Sequence, residues 1–336
     1  MRVTVTGATG LIGPHVVSSL RARGDEVTVL SRDPESAREK LERSTRPPTE
    51  QSESSNAHGG HATPGDHTKD RDSTGTLDAQ RWDPTREAPP AAALAGRDAV
   101  VHLAGENIAQ RWSAAAKQAI RESRVTGTRN LVQGLTALGE DERPPVLVSG
   151  SAIGYYGAHG DEPIDEETPA GNNFLAQTCS LWETEAGAAE QHGLRVVRVR
   201  TGVVLDPNGG ALAKMLPPFK LGVGGPVAGG LQYISWIHPQ DLVEIVLAAI
   251  DSEQWRGPVN ATAPEPQRNR DFSKALGAAL HRPALLPVPG AALKLLYGEM
   301  SEIVTTGARV LPARALMLGY EFRYPRLDSA LRAALG

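Results

Sequence analysis

RVTVTGATGLIGPHVVSSLRARGDEVTVLSRD, residues 2–33, changes its hydrophobic period twice, and the order of those changes decides the fold. Residues 2–6 are a β-branched run of strand length. Leu11, Ile12, Val16, Val17 and Leu20 then recur at helical spacing until Gly24 offers a C-cap, and Val27, Val29 and Leu30 supply a second strand. Strand, helix and strand within so short a stretch make half of a dinucleotide site. At the first strand-to-helix junction, TGATGLIG sets Gly7, Gly10 and Gly13 three residues apart. The first allows a tight turn, the second lets backbone approach a pyrophosphate, and the third permits close helix–strand packing, so that phosphates meet the helix N-terminus. Thr9, Leu11 and Ile12 fill the rest of that loop and are expected to line the same ligand. A glycine-rich turn without a ligand would use similar letters, but the flanking strand, helix and second strand favour nucleotide binding.

The tip of the second strand is where an NAD site places a carboxylate on the ribose 2′-hydroxyl. Here that position holds Ser31, followed by Arg32. A hydroxyl and a guanidinium suit a 2′-phosphate better than a free hydroxyl, which predicts NADP as the cofactor. The opposing reading has Asp33 on the ribose and Arg32 in solvent.

Further along, DAVVHLAG (98–105), PPVLVSGSA (144–152) and LRVVRVRTGVVL (194–205) are buried-strand patterns. Helical segments from Ser113 to Leu138 and around SLWETEAGAAEQHG separate them. Strands alternating with helices predict an α/β fold of the Rossmann type, a doubly wound parallel sheet with a smaller C-terminal region on the substrate side. The expected division is a nucleotide-binding domain over 1–281 and a small C-terminal domain over 282–336. Ligands bind outside the carboxyl ends of such strands, which brings Ala104, Gly105 and the stretch from Ser149 to Ser151 to the loop Gly7–Gly13. Residues 44 to about 80 hold Leu77 as their one large aliphatic side chain and read as a flexible polar insertion. Its histidines, His58, His61 and His67, have no cysteine beside them and read as linker, not as a metal site. From Asn208 to Gly230 a Gly/Pro-rich tract fits either a mobile loop over a pocket or a static connection.

The 336 residues, 40% hydrophobic, suffice for a substantial core. A net charge of −4 leaves no basic footprint for nucleic acid or for a membrane surface. The single cysteine, Cys179, permits neither an internal disulfide nor a thiolate metal cluster, so no metal is expected. With no apolar run of membrane-spanning length, the expected location is the cytoplasm.

TGATGLIG, the HLAG strand end, VSGSAIGYYG and WIHPQDL together resemble the extended short-chain dehydrogenase/reductase superfamily. LAGENIAQRWSAAAKQAIRESRVTGTRNL, PPFKLGVGGPVAGGLQYISWIH and the tail from ALLPVPGAALKLLYGEM onward resemble its branch of sugar-nucleotide-epimerase-like oxidoreductases, which carry a short C-terminal domain of unassigned function. The resemblance implies cofactor roles for Gly7, Gly10, Gly13, Ser31, Arg32, Ala104 and Gly105. It puts Asp83 beside the adenine and Ser151 on the substrate oxygen, with Ser149 as the competitor for that role. The superfamily's Tyr-x3-Lys pair does not carry over. Anchoring on WETEA puts Cys179 or a neighbour in the lysine's place and Phe174 or Leu175 in the tyrosine's. Positions four after the six tyrosines hold His159, Gly160, Ile237, Ser301, Tyr324 and Asp328, so the chain contains no such pair.

In that pair the lysine lowers the phenol's pKa, letting it exchange a proton with a carbonyl near neutrality. Without it the proton must come from elsewhere. Tyr155 and Tyr156, four and five residues after Ser151, are the first candidates, and packing in the loop is the plain alternative for each. Cys179 is a soft acid or a small buried residue. His238 titrates in the right range, or it is structural. Lys117, Arg121 and Arg124 share a helix face that either meets an anionic substrate or is solvated, and solvation is expected. Three readings follow: an NADP(H)-dependent oxidoreductase acting on a small carbonyl or alcohol, a non-catalytic NADP(H) sensor or structural binder, and a nucleotide-sugar epimerase or dehydratase. The expected partners are a small-molecule substrate and a second copy in a homodimer.

Overall fold

The computed structural model describes residues 1–45 and 74–336. Most of the polar stretch read as an insertion, with His58, His61 and His67, lies outside the described residues. Seven strands form one parallel sheet: β1 (Arg2–Thr6), β2 (Glu26–Ser31), β3 (Leu77–Arg81), β4 (Ala99–His102), β5 (Val146–Ala152), β6 (Arg195–Thr201) and β7 (Gly257–Ala261), in the spatial order β7-β6-β5-β4-β1-β2-β3. Sequence order reverses between β1 and β4, which opens a crevice at their carboxyl ends.

The central strands are buried on both faces, as parallel strands flanked by helices must be. On one side Val3, Val5, Val101, Val148 and Val199 meet Val16, Val17 and Leu20 of α1 (Gly13–Ala22). On the other, Val100, Leu147 and Val196 meet Leu131 and Leu135 of the long helix Ala114–Thr136. Each such side chain withdrawn from water contributes about 1.5–3 kcal/mol. The polar rung in this core is His102, fully buried, whose Nδ1 lies 2.7 Å from Thr6 Oγ1 and whose Nε2 lies 3.0 Å from Thr128 Oγ1. Burial pushes its pKa down to about 4, so the ring is neutral.

The expected insertion boundaries need correction at both ends. α2 (Pro34–Thr45) follows β2 and runs into the stretch, and β3 begins at Leu77 inside it. β3 is the sheet's edge, pairing only with β2, from Val27↔Leu77 to Ser31↔Arg81. An edge strand needs few inward side chains, and Leu77 and Ala79 suffice to pack on the core.

α3 is Ala114–Thr136, α4 Phe174–Gly187, α5 Gly210–Lys220, α6 Pro239–Asp251 and α7 Asn269–Ala279. The C-terminal region adds α8 (Gly290–Tyr297), α9 (Glu302–Thr305), α10 (Ala313–Met317) and α11 (Leu327–Leu335). Leu327, Ala330 and Leu331 of α11 join Phe272 and Leu276 of α7 in one cluster, and Ala315 joins the main core. Two buried carboxylates fasten this region. Glu166 accepts the amides of Asn260 at 2.9 Å and Arg314 at 3.2 Å. Asp241 of α6 accepts the amides of Arg323 at 2.7 Å and Tyr324 at 3.0 Å. Charge-assisted bonds of this kind satisfy amides at an edge strand, a helix start and a loop.

Candidate functional site

The glycines of the first loop act through space as well as through conformation. Gly7 has φ +68°, and a Cβ there would lie 2.5 Å from the carbonyl of Leu103 at the end of β4. At Gly13 a Cβ would strike Ala8 Cα at 2.4 Å, so the glycine seats α1 against β1. Gly10 is exposed and donates its amide to the Gly7 carbonyl at 3.0 Å. α1 begins with no side-chain cap and no acidic residue in its first turn. Among the described residues no side chain caps its first amides, and the positive end of its dipole stands at the glycine loop, the arrangement a phosphate requires. Leu11 packs on the 209–210 backbone, where a Cβ on Gly209 would meet it at 2.5 Å, and His15 Nε2 lies 2.8 Å from Asp206 Oδ2. The start of the Gly/Pro tract is thereby fastened over the phosphate loop.

At the tip of β2, Ser31 Oγ donates to the Asp33 carbonyl at 3.0 Å, and Arg32 is exposed. Asp33 Oδ1 accepts the Ser36 amide at 3.1 Å and so caps α2. One oxygen of Asp33 is thereby engaged, and Arg32 forms no ion pair within 4.0 Å among the described residues. Lys40 Nζ donates to the Thr9 carbonyl at 2.8 Å, a second cation at the loop that the sequence reading missed. Asp83 lies within electrostatic reach of Arg32 and pairs with Arg86 at 3.3 Å. Burial raises its pKa, but bonds from Thr85 and the two arginines outweigh that, and the net shift is downward.

The carboxyl ends of β5, β6 and β7 carry a buried polar row. Ser151, Arg200 and Asn260 occupy matching register positions. Ser151 Oγ donates to Glu183 Oε1 of α4 at 2.6 Å. Arg200 grips the same carboxylate from Nε and Nη2, both at 2.8 Å, and its Nη1 donates to Tyr156 OH at 2.9 Å. Tyr156 OH donates in turn to Asn260 Oδ1 at 2.6 Å. Tyr156 is fully buried, and burial pushes its pKa up to about 12. As a proton donor it is therefore corrected to a structural residue. Tyr155 differs: it is half-buried, its ring lies 3.6 Å from the Arg200 guanidinium, and its hydroxyl has no hydrogen-bond partner among the described residues. Ser149 is fully buried and donates weakly to the Gly150 carbonyl at 3.2 Å, which leaves Ser151 nearer the crevice.

The other substitutes also resolve. Burial pushes the Cys179 thiol up to about 12, so it carries no thiolate at neutral pH. His238 accepts the Gln240 amide at 3.2 Å as the cap of α6 and stacks 3.9 Å from Tyr324, and burial pushes its pKa down to about 4. The cationic stripe of α3, expected to be solvated, is so at Arg121, which is exposed, while Lys117 and Arg124 are half-buried. Lys117 pairs with Glu299 and lies 5.3 Å from the Phe174 ring centre, Arg121 lies 5.7 Å from the same ring, and Arg124 lies 5.3 Å from Trp182. It faces α4 because aromatic rings occupy the positions that α4 turns toward α3. Asn173, the cap of α4, donates to Glu302 at 3.0 Å, so the C-terminal region borders the same mouth.

Glu183 and Arg200 escaped the sequence reading, although a signal existed. Arg198 and Arg200 alternate with valines in a strand buried on both faces, and a charge so placed needs a partner.

The chain is similar to known proteins over its whole length. A family model described as the NAD dependent epimerase/dehydratase family matches residues 3–260, and one described as a domain of unknown function (DUF1731) matches residues 288–334. An epimerase family protein, the chloroplastic SDR39U1 homolog of Arabidopsis thaliana, is 38% identical over 335 residues, covering 100% of this chain and 87% of its own. An epimerase family protein of Mycobacterium bovis is 42% identical over 252 residues, 74% of this chain and 82% of its own. The crystal structure of human epimerase family protein SDR39U1 with NADPH superposes with a TM-score of 0.79 at 32% identity and covers 100% of both chains. The chain belongs to the NAD dependent epimerase/dehydratase family.

Proposed function

We propose that this family member is an NADP(H)-dependent oxidoreductase of the extended short-chain dehydrogenase/reductase type, acting on a small carbonyl or alcohol. The observation that carries the reading is the uncapped N-terminus of α1 behind Gly7, Gly10 and Gly13, with Arg32 and Lys40 as cations at its rim. The NADPH in the human relative supports the same choice of nucleotide. NADP(H), when bound, supplies or accepts the hydride.

Everything else falls to this chain. The loop from Gly7 to Gly13, with Thr9, Leu11 and Ile12, holds the pyrophosphate. Ser31 and Arg32 take the 2′-phosphate, Asp83 borders the adenine, and Ala104 and Gly105 bring the end of β4 against the ribose. Ser151 bonds the substrate oxygen. Its own proton goes to Glu183, so in this rotamer Oγ offers lone pairs and is suited to accept from an alcohol. When a carbonyl is reduced, the carbon gains the hydride and the oxygen gains a proton, and Tyr155 is the phenol free to give it. Solvent returns that proton to Tyr155.

A second reading, an NADP(H) binder without turnover, is favoured by one observation: the serine proton and the Tyr156 hydroxyl are both committed to buried partners. Calorimetric titration with NADPH, NADP+ and NADH tests both. Similar tight binding of NADPH and NADP+, with NADH weaker, supports turnover. Strong preference for one redox form supports the sensor, and no binding of any nucleotide sinks both readings.

A further inference from the structure

Arg124 forms no ion pair within 4.0 Å among the described residues. It stands on α3, half-buried, and burial pushes its pKa down from the usual guanidinium value. Its Nη1 donates to two backbone carbonyls, Glu106 at 3.0 Å and Ile120 at 3.2 Å. Nε and Nη2 have no hydrogen-bond partner among the described residues, and neither is sealed from solvent. The nearby Glu106 carboxylate attracts it without closing an ion pair within 4.0 Å. Its neighbours on the same helix face differ, since Lys117 is neutralised by Glu299 and Arg121 is exposed.

Gly105 and Trp182 lie against this guanidinium. Gly105 lacks the positive φ that would itself call for glycine, yet a Cβ there would lie 3.0 Å from Arg124 Cζ, 3.1 Å from Nη2 and 3.4 Å from Nε. A side chain at 105 would press on the guanidinium, which would have to shift by a few tenths of an ångström. The opposite side is Trp182, whose ring supports the guanidinium at 5.3 Å, and the indole N–H is itself buried without a partner. Removing a guanidinium from water without an anion is unfavourable, and a planar fork with an unused Nε/Nη2 edge matches a carboxylate in two parallel bonds.

We propose that Arg124 binds a carboxylate of the substrate, so that the compound reduced or oxidised is an oxo or hydroxy acid with its reacting carbon held beside Ser151 and Tyr155. The inference rests on the oxidoreductase reading, and it narrows that reading to anionic substrates.

The test uses the full chain saturated with NADP+, so that no turnover occurs. It is titrated calorimetrically with 2-oxohexanoate and with 2-hexanone, in which a methyl replaces the carboxylate. The wild type is expected to bind the acid at least about tenfold more tightly than the ketone, the scale of one charge-assisted bidentate contact. Arg124→Met should bring the two within about twofold, and Arg124→Lys should keep an intermediate preference. Equal binding by the wild type, no saturable binding of the acid, or a preference that survives Arg124→Met would overturn the assignment. So would a fall of about tenfold or more in NADP+ affinity in Arg124→Met, since the cation would then serve the cofactor. If Arg124→Met does not fold, Arg124→Lys decides alone, and an undiminished preference overturns the proposal. Failure of the oxidoreductase reading is a separate event, visible as a wild type that binds no nucleotide.

Discussion

Ser151 Oγ stands 2.6 Å from Glu183 Oε1, and Arg200 holds both oxygens of that same carboxylate. The arginine fork fixes the position of the glutamate, and the glutamate accepts the serine's hydrogen bond. Glu183→Gln should therefore leave Arg200 buried and uncompensated, losing about 3–5 kcal/mol of stability in urea unfolding. Ser151→Ala removes one bond from a carboxylate still doubly held and should cost about 1–2 kcal/mol. Comparable small losses for both variants would show that water reaches the pair.

The two adjacent tyrosines should separate cleanly. Tyr156→Phe strands Asn260 Oδ1 and one Arg200 N–H, and should cost about 1–3 kcal/mol with little change in NADPH affinity. Tyr155→Phe keeps the ring on Arg200 and should hold stability within about 0.5 kcal/mol while abolishing most turnover once a substrate is found. Undiminished turnover in Tyr155→Phe would remove it as the proton source.

Arg32→Ala should weaken NADPH far more than NADH in calorimetric titration, because only NADPH presents a phosphate to the guanidinium. Asp33→Ala should instead lower stability by about 1 kcal/mol through the lost α2 cap and leave the preference for NADPH intact. A preference that collapses with Asp33 and survives without Arg32 would reverse the assignment.

Acid should destabilise the protein through His102. Its folded-state pKa is pushed down to about 4 while the unfolded ring titrates near 6.5, so the unfolded state alone takes up the proton in that window. Stability is full above about pH 6.5 and falls as pH drops toward 4, by about 3 kcal/mol from this group. His238 shifts in the same direction. Urea midpoints measured from pH 7.5 to 4 should show the decline, and His102→Gln should flatten it.

The β1–α1–β2 unit was legible because each of its constraints is local: a buried run, a helical period, three glycines at fixed spacing. β3 was not legible, since LDAQR pairs on one side only and its polar letters look like linker. The site divided in the same way. Gly7, Gly10, Gly13 and Arg32 sit where chain order puts them. Glu183 and Arg200 meet because a helix crosses a strand, and Arg124 lies on Trp182 because two helices pack. Such pairings are properties of tertiary geometry, and residue periodicity carries no record of them. The same limit explains why Tyr155 and Tyr156 looked equivalent: neighbours in a 3-10 turn, they lie on different sides of the wall around Arg200.

The fastening of the C-terminal region bears on how the chain is made. Asp241 waits for amides 82 and 83 residues downstream, and Glu166 for one 148 residues downstream. At roughly 5–20 residues per second of synthesis, Asp241 waits roughly 4–17 s for its amides, and Glu166, which the Asn260 amide reaches sooner, waits roughly 7–30 s for that of Arg314. Through that interval the nucleotide half can close around β1, β2 and β4, and the Asn260 amide of β7 can bond Glu166 before Arg314 joins it. A chain released before residue 313 would leave Asp241 without Tyr320, Arg323 and Tyr324 in what should be its interior, a defect that cellular quality control is able to read.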